Sequence, residues 1–237
     1  ISAVRRIGQI AANIARGSGA AVVTGDALLS VAVAELVIGS CSTAEQTFAA
    51  RRTYIGPDLE LVDIGEALVA AFKGEEQRAR QITATAIRAA TEHRQGRKLG
   101  YLNYALAVLE LGLGHYETAL GHAQQARLEN LLLLNGVLLP DLIEAATHTA
   151  NDAVARDALE RFEAIAAATG TPLVRALLDR CKAQIDPTPS ADGLFRSSID
   201  QLADLGAPAQ IARTRLLYGE WLRRQKRRRD AREQLRA

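Results

Sequence analysis

Residues 111–126 read "LGLGHYETALGHAQQA". A leucine-rich helical run ends at Gly114, a turn follows, and Ala119 opens a set of alanines at helical spacing. Glycine reaches positive φ without a Cβ penalty, so Gly114 permits a tight turn between two helices. Tyr116 is placed to wedge between those helices. Ala119 is small because the two helices cross closely there. Upstream, Leu106 and Ala107 take a leucine place and a small-residue place on the first helix.

The frame recurs. "VIGSCSTAEQTF" (37–48) has Gly39, Ala44 and Phe48, and "FKGEEQRARQIT" (72–83) has Gly74 and Ala79. "NDAVARDALERFEAI" (151–165) has Ala158 and Phe162, although a register three residues earlier fits nearly as well. "SADGLFRSSI" (190–199) has Leu194 where the small residue belongs. The closing stretch has Tyr218 and Gly219, then Ala231 and Leu235. Markers at 44, 79, 119, 158, 194 and 231 are separated by 35, 40, 39, 36 and 37 residues. That interval is close to the period of about 34 of tetratricopeptide units, with longer loops inserted. Glu110 departs from that motif, which usually has Tyr there. A single helix pair cannot bury its apolar stripe, so neighbouring pairs must stack. The sequence therefore predicts an all-α fold: one domain over 1–237, a right-handed solenoid of tetratricopeptide-like pairs with about thirteen helices.

Composition agrees. The chain has 237 residues, enough for a sizeable core, and is 48% hydrophobic with 24% charged residues. Aromatics are scarce at 4%, while Ala and Leu, which lose little entropy in a helix, are abundant. Breakers fall between the units: "RGSG" (16–19), "IGPD" (55–58), "RQGR" (94–97), "ATGTP" (168–172) and "DPTPSADG" (186–193). Pro172 is placed to start a helix, where a missing N–H costs nothing. Asp141 and Asp152 are expected as N-caps. "AAVVTG" (20–25) could be strand or helix, and its Ala-rich continuation favours helix. The longest apolar stretch, "ALLSVAVAELVIGSC" (27–41), contains Glu35 and is too short to span a bilayer. No leader sequence is visible, and Cys41 and Cys181 lie far apart with no ligand spacing. Both facts fit small core thiols in a reducing, cytoplasmic setting. The chain begins at Ile1 and has no Met, so it is expected to be a piece of a longer protein.

No motif points to catalysis. "RGSGAAVVTGD" (16–26) lacks the Lys-Ser/Thr ending of a phosphate loop and reads as a helix–helix turn. None of His93, His115, His122 and His148 makes a His-x-x-x-His pair or adjoins a cysteine, so no metal site is expected. His115 and His122 read as solvated helix residues. No Gly-x-Ser-x-Gly elbow occurs. The expectation is a non-enzymatic chain that binds through its concave face, lined by the first helix of each pair. Tyr101 and Tyr104 project from one such helix, and Arg213 and Glu220 lie on the equivalent helix of the last unit. These four are the candidate groove residues for a protein partner or small-molecule inducer, with core packing the alternative for the tyrosines. Gly114, Tyr116, Ala119, Gly219 and Ala231 are the expected repeat-packing residues.

"QIARTRLLYGEWLRRQKRRRDAREQLR" (210–236) resembles the last tetratricopeptide-like unit of the LuxR-type large ATP-binding, MalT-like transcriptional regulators of actinobacteria. "LGHYETAL" (113–120) and "LPDLIEAATHTAND" (139–152) look like middle units of the same family, and the likeness spans roughly residues 60–237. The resemblance implies a helical array that senses an inducer or protein partner and controls self-association. It also implies a P-loop ATPase module before the array and a DNA-binding helix-turn-helix after it. No Walker loop occurs within residues 1–237. ATP and DNA binding are accordingly expected of modules outside these residues, and no cofactor of the chain itself is expected. A free-standing scaffold holding a protein partner in its groove is the alternative.

The last 25 residues carry ten basic and three acidic side chains, leaving the first 212 at −5 against a total of +2. Direct nucleic-acid binding by this end is a competing reading, since basic clusters are the electrostatic footprint of such proteins. The spacing favours two helices around "RQKRRR" (224–229), with Leu216, Leu217, Trp221 and Leu222 as the apolar stripe of the first. The arginines would then cover apolar surface with their stems while their heads stay wet.

Overall fold

The computed structural model describes residues 20–55, 62–129, 131, 134–186 and 188–236, together with positions 6, 10, 13, 14 and 17. Among the described residues there are twelve bounded helices and no strand. The ambiguous "AAVVTG" is helical from Ala21 onward, whereas "RGSG" and "IGPD" lie largely outside the described residues. The chain divides into two compact units, residues 1–134 and 135–237.

The first unit contains α1 (Ala21–Ile38), α2 (Cys41–Ile55), α3 (Val62–Lys73), α4 (Glu76–Glu92), α5 (Gly96–Leu113) and α6 (Tyr116–Leu128). The second contains α7 (Asn135–His148), α8 (Asp152–Thr169), α9 (Pro172–Ile185), α10 (Ala191–Asp204), α11 (Pro208–Arg224) and α12 (Arg228–Arg236). Each unit is three helix hairpins, formed by α1–α2, α3–α4, α5–α6, and by α7–α8, α9–α10, α11–α12. First helices of successive hairpins also pack on each other, α3 on α5 and α7 on α9.

One turn device recurs. Gly114 has φ of 76°, its N–H donates to the Leu111 carbonyl, and the His115 N–H donates to the Glu110 carbonyl. This is the Schellman pairing, which satisfies carbonyls the helix end leaves open. The same two bonds close the helix ends at Gly39, Gly74, Arg94, Ala150, Gly206 and Lys226, all at positive φ. A two-residue turn of this kind forces the next helix to run back along the first.

Close crossing is the second recurring feature. Ala44, Ala79, Ala119, Ala155 and Ala231 are each the fourth residue of their helix, and each is at most 2% exposed. The α8 hairpin thus takes the register of Ala155 rather than Ala158. In α10 the small place falls to Ala191, which is fully buried, and Leu194 is only half-buried. The long breaker before α10 lets that helix start directly on its small residue, so close contact comes one turn earlier.

Two cap expectations are corrected. Asp141 is no N-cap: α7 starts six residues earlier and runs through Pro140. An interior proline forfeits a backbone bond, but Leu138, Leu139 and Leu142, all buried, hold that turn in place. At α8 the cap is Asn151, whose Oδ1 accepts from the Val154 N–H at 3.4 Å, and Asp152 lies in the first turn. Pro172 does occupy the start of α9.

The closing hairpin is built around aromatic rings. Phe195 stacks on Tyr218 with centroids 5.2 Å apart, and Trp221 lies 6.1 Å from Tyr218. The stripe of α11 is Leu217, Tyr218, Trp221 and Leu222, all buried, whereas Leu216 points outward at 44% exposure. That corrects the expected place of Leu216, since Tyr218 rather than its neighbour two residues back faces α10. The Tyr218 hydroxyl donates to Asp192 Oδ1 at 2.6 Å, and Arg227 Nη1 donates to the same oxygen at 2.6 Å. Asp192 is thereby the polar joint of α10, α11 and the last turn.

Candidate functional site

The second unit brings together the charged residues of its first helices. On α11, Arg213 donates from Nε and Nη2 to Oε2 and Oε1 of Glu144 on α7, at 2.9 and 2.6 Å. The two planar groups meet fork to fork, the strongest geometry open to such a pair. Glu144 is 2% exposed and Arg213 is 24% exposed, so one end of the pair is sealed and the other reaches solvent.

One turn along α7 and two turns along α11 a second pair forms. His148 Nε2 lies 3.1 Å from Glu220 Oε2, and His148 Nδ1 lies 2.9 Å from the Glu144 carbonyl oxygen. A carbonyl and a carboxylate can only accept, so both ring nitrogens must carry hydrogen. The geometry therefore calls for the imidazolium. Burial by itself depresses the His148 pKa, but the Glu220 hydrogen bond, the Glu144 carbonyl and the two carboxylates outweigh it and hold the group above its ordinary value. Reciprocally, the His148 hydrogen bond holds the Glu220 carboxyl below the usual range despite partial burial.

Between α7 and α11, α9 contributes Arg180 and Cys181, both buried. Arg180 Nη1 donates to Gln210 Oε1 at 2.8 Å. Its Nε has no hydrogen-bond partner among the described residues. Burial pushes the Cys181 thiol up to about 12, with Asp141 and Glu144 adding to the shift, so this sulfur is a protonated core atom and not a nucleophile.

Of the four candidate groove residues, Arg213 and Glu220 thus lie in one polar row, joined to Glu144 and His148, which the sequence did not single out. The tyrosines do not line an open groove, and that expectation is corrected. Tyr101 is 2% exposed, with Arg97, Asp26 and Arg51 around it, and burial raises its hydroxyl pKa. Tyr104 is 1% exposed and meets the Phe72 ring edge-on at 6.4 Å. Rings of this size on a first helix fill the gap to the neighbouring hairpins of the first unit.

The packing residues fall as follows. Gly114 makes the left-handed turn, Tyr116 is half-buried at the start of α6, and Ala119 is fully buried. A Cβ on Gly219 would sit 2.8 Å from Leu235, so its absence lets α12 approach α11 and Ala231 bury. Glu110, at the place usually held by Tyr, is buried and accepts from Arg80 Nη1 at 2.5 Å, while His115 Nδ1 lies 2.9 Å away. Burial would raise the Glu110 pKa, yet the Arg80 and His115 hydrogen bonds hold it below the ordinary value. His122 is half-buried with Nδ1 3.0 Å from Asn103 Oδ1, whereas His115 is exposed, as expected of a solvated residue.

Among the described residues no three His, Cys, Asp or Glu side chains gather as a metal-binding group, and no helix is long and apolar enough to cross a membrane. The polar row of the second unit balances two cations against two anions. Compared with known proteins, the chain matches no family model, no curated protein and no solved structure.

Proposed function

We propose that the chain is the helical sensing and assembly region of a LuxR-type transcriptional regulator, controlling DNA binding by a helix-turn-helix module outside these residues. In that reading the hairpins form a right-handed tetratricopeptide-like solenoid, the protein works in the cytoplasm, and ATP is bound by a separate module. The observation that carries it is the last hairpin. Arg213, Tyr218, Glu220 and Trp221, all within the stretch that resembles those regulators, supply the α11 side of the polar row and of the aromatic core of the second unit, and Gly219 lets α12 pack on them. A segment in which both packing and polar contacts depend on the resembling residues supports a shared architecture more than a shared composition does. An inducer or protein partner would exchange contacts with the half-exposed ends of Arg213 and Glu220.

Reading the gene outward from both ends tests the proposal. An upstream P-loop ATPase module and a downstream helix-turn-helix are expected, and a gene with neither overturns it. The second reading, a free-standing scaffold for a protein partner, is favoured by the neutral, two-signed row, which fits a polypeptide. It requires that same gene to lack both modules.

A further inference from the structure

The α9–α10 hairpin separates α7 from α11 in sequence, yet two side-chain pairs join α7 and α11 directly. One is the fork between Glu144 and Arg213. The other, His148 with Glu220, depends on a proton. Both His148 ring nitrogens face acceptors, the Glu144 carbonyl at 2.9 Å and the Glu220 carboxylate at 3.1 Å. A neutral ring has one N–H, so it serves one of these oxygens and turns a lone pair on the other. In either tautomer the charge that draws Glu220 is gone. His148 is also the last residue of α7, where the helix dipole favours a cation. Its side chain is 17% exposed, so it exchanges protons with solvent. It is the one histidine of residues 135–237. Imidazole is the side chain whose ordinary charge change falls between about pH 5 and 8.

We propose that His148 is a proton-operated latch, which as the imidazolium holds the C-terminal half of α11 to α7 and on losing its proton lets the second unit open. The Arg213 fork lies two turns nearer the start of α11 and remains as the pivot. The part released is therefore the one that carries Glu220 and, after it, α12. The charged groups acting on the ring are Glu144 on α7 and Glu220 on α11, and Arg213 and Arg224 on α11 act in turn on Glu220. α9 brings Arg180, whose Nη1 donates to Gln210 of α11, and among the described residues no charged group of α8 acts on the ring. The second unit is accordingly closed at low pH and opens as pH rises through the raised pKa of His148. The latch needs neither an inducer nor a flanking module, so a gene lacking both modules would leave it standing.

The experiment alkylates Cys181, sealed beneath α7 and α11, with iodoacetamide in the 237-residue chain from pH 6 to pH 9, with mass mapping to locate the label. Each native rate is divided by the rate for the urea-unfolded chain at the same pH, which removes the ionisation of the thiol itself. At low reagent concentration this quotient is the open fraction. It is expected to rise about fivefold across the range, the size of one partly exposed ion pair. The midpoint should match that of the His148 ring followed by proton NMR, above 6.5. His148→Gln should show a pH-independent open fraction equal to that of the unchanged chain at pH 9. Arg213→Gln should raise the open fraction at every pH and keep the rise. A flat profile in the unchanged chain, a rise that survives in His148→Gln, or a ring midpoint at or below 6.5 overturns the proposal. The ring titration and the first profile need no variant, so they decide the matter even where a substitution prevents folding.

Discussion

Ala150 holds a φ of 53°, a conformation that crowds an L side chain's Cβ against the following carbonyl. It does so because the Schellman bonds from Ala150 and Asn151 require it. The side chain is exposed and packs on nothing that a glycine would forfeit. Ala150→Gly should therefore stabilise the chain by about 1 kcal/mol, the left-handed penalty less the extra entropy of glycine in the unfolded state. A rise in the urea midpoint at constant m value checks this. The Glu144–Arg213 pair is the other residue-scale case. A double-mutant cycle to alanine should give a coupling of about 1–2 kcal/mol, the range for charged groups in direct contact. Additive losses would show that the forked geometry contributes nothing. Arg213 could be singled out from sequence because it sits on a first helix. Glu144 could not, because its partner lies 69 residues away and no local pattern encodes which polar groups meet across hairpins.

The hairpin is the element that sequence discloses best. A glycine able to turn left, followed by a small residue four places into the next helix, marks Ala44, Ala79 and Ala119 without ambiguity. Where the turn residue is Ala150 in place of glycine, the signal weakens and Ala158 competes with Ala155. Where a long breaker precedes the helix, as at α10, the small residue moves to Ala191. Orientation within a first helix is harder to read, because both faces of such helices are apolar. That is why Tyr101 and Tyr104 fit a groove on paper and are buried in the structure. The helix pair α7–α11 carries a pH dependence. His148 has a raised pKa in the folded state, so its stabilisation is complete below the unfolded value of about 6.5 and is lost as pH rises through the folded value. Glu220 has a lowered one, so its contribution is complete above about 4.3 and is lost as pH falls through the folded value. Glu144, Arg213 and Arg224 are the other charged groups that act on this pair. His148→Gln should thus cost most stability near pH 5.5 and least near pH 9. Urea titrations of both proteins at the two pH values measure it. A penalty equal at both would mean that the imidazolium is not what α11 holds.

At the scale of the whole molecule, each compact unit contains one cysteine, and the two differ in burial. Cys41 opens α2 in the first unit and is half-buried, whereas Cys181 in the second is sealed beneath α7 and α11. The thiolate is the form that attacks disulfide reagents, so a thiol pushed to about 12 by burial is protected twice, by access and by protonation. Cys181 can react only when the second unit opens. In native buffer, a thiol-reactive chromophore should consume one equivalent quickly and a second at a rate set by that opening. Raising urea should accelerate the second phase steeply while barely altering the first, and mass mapping of the labelled peptides should place the fast label at Cys41. Arg213→Ala removes the tie between α11 and α7 and should speed the slow phase alone. If both thiols react together in native buffer, the second unit is not closed over Cys181, and the sealed carboxylate of Glu144 beside it would have to be reconsidered as well.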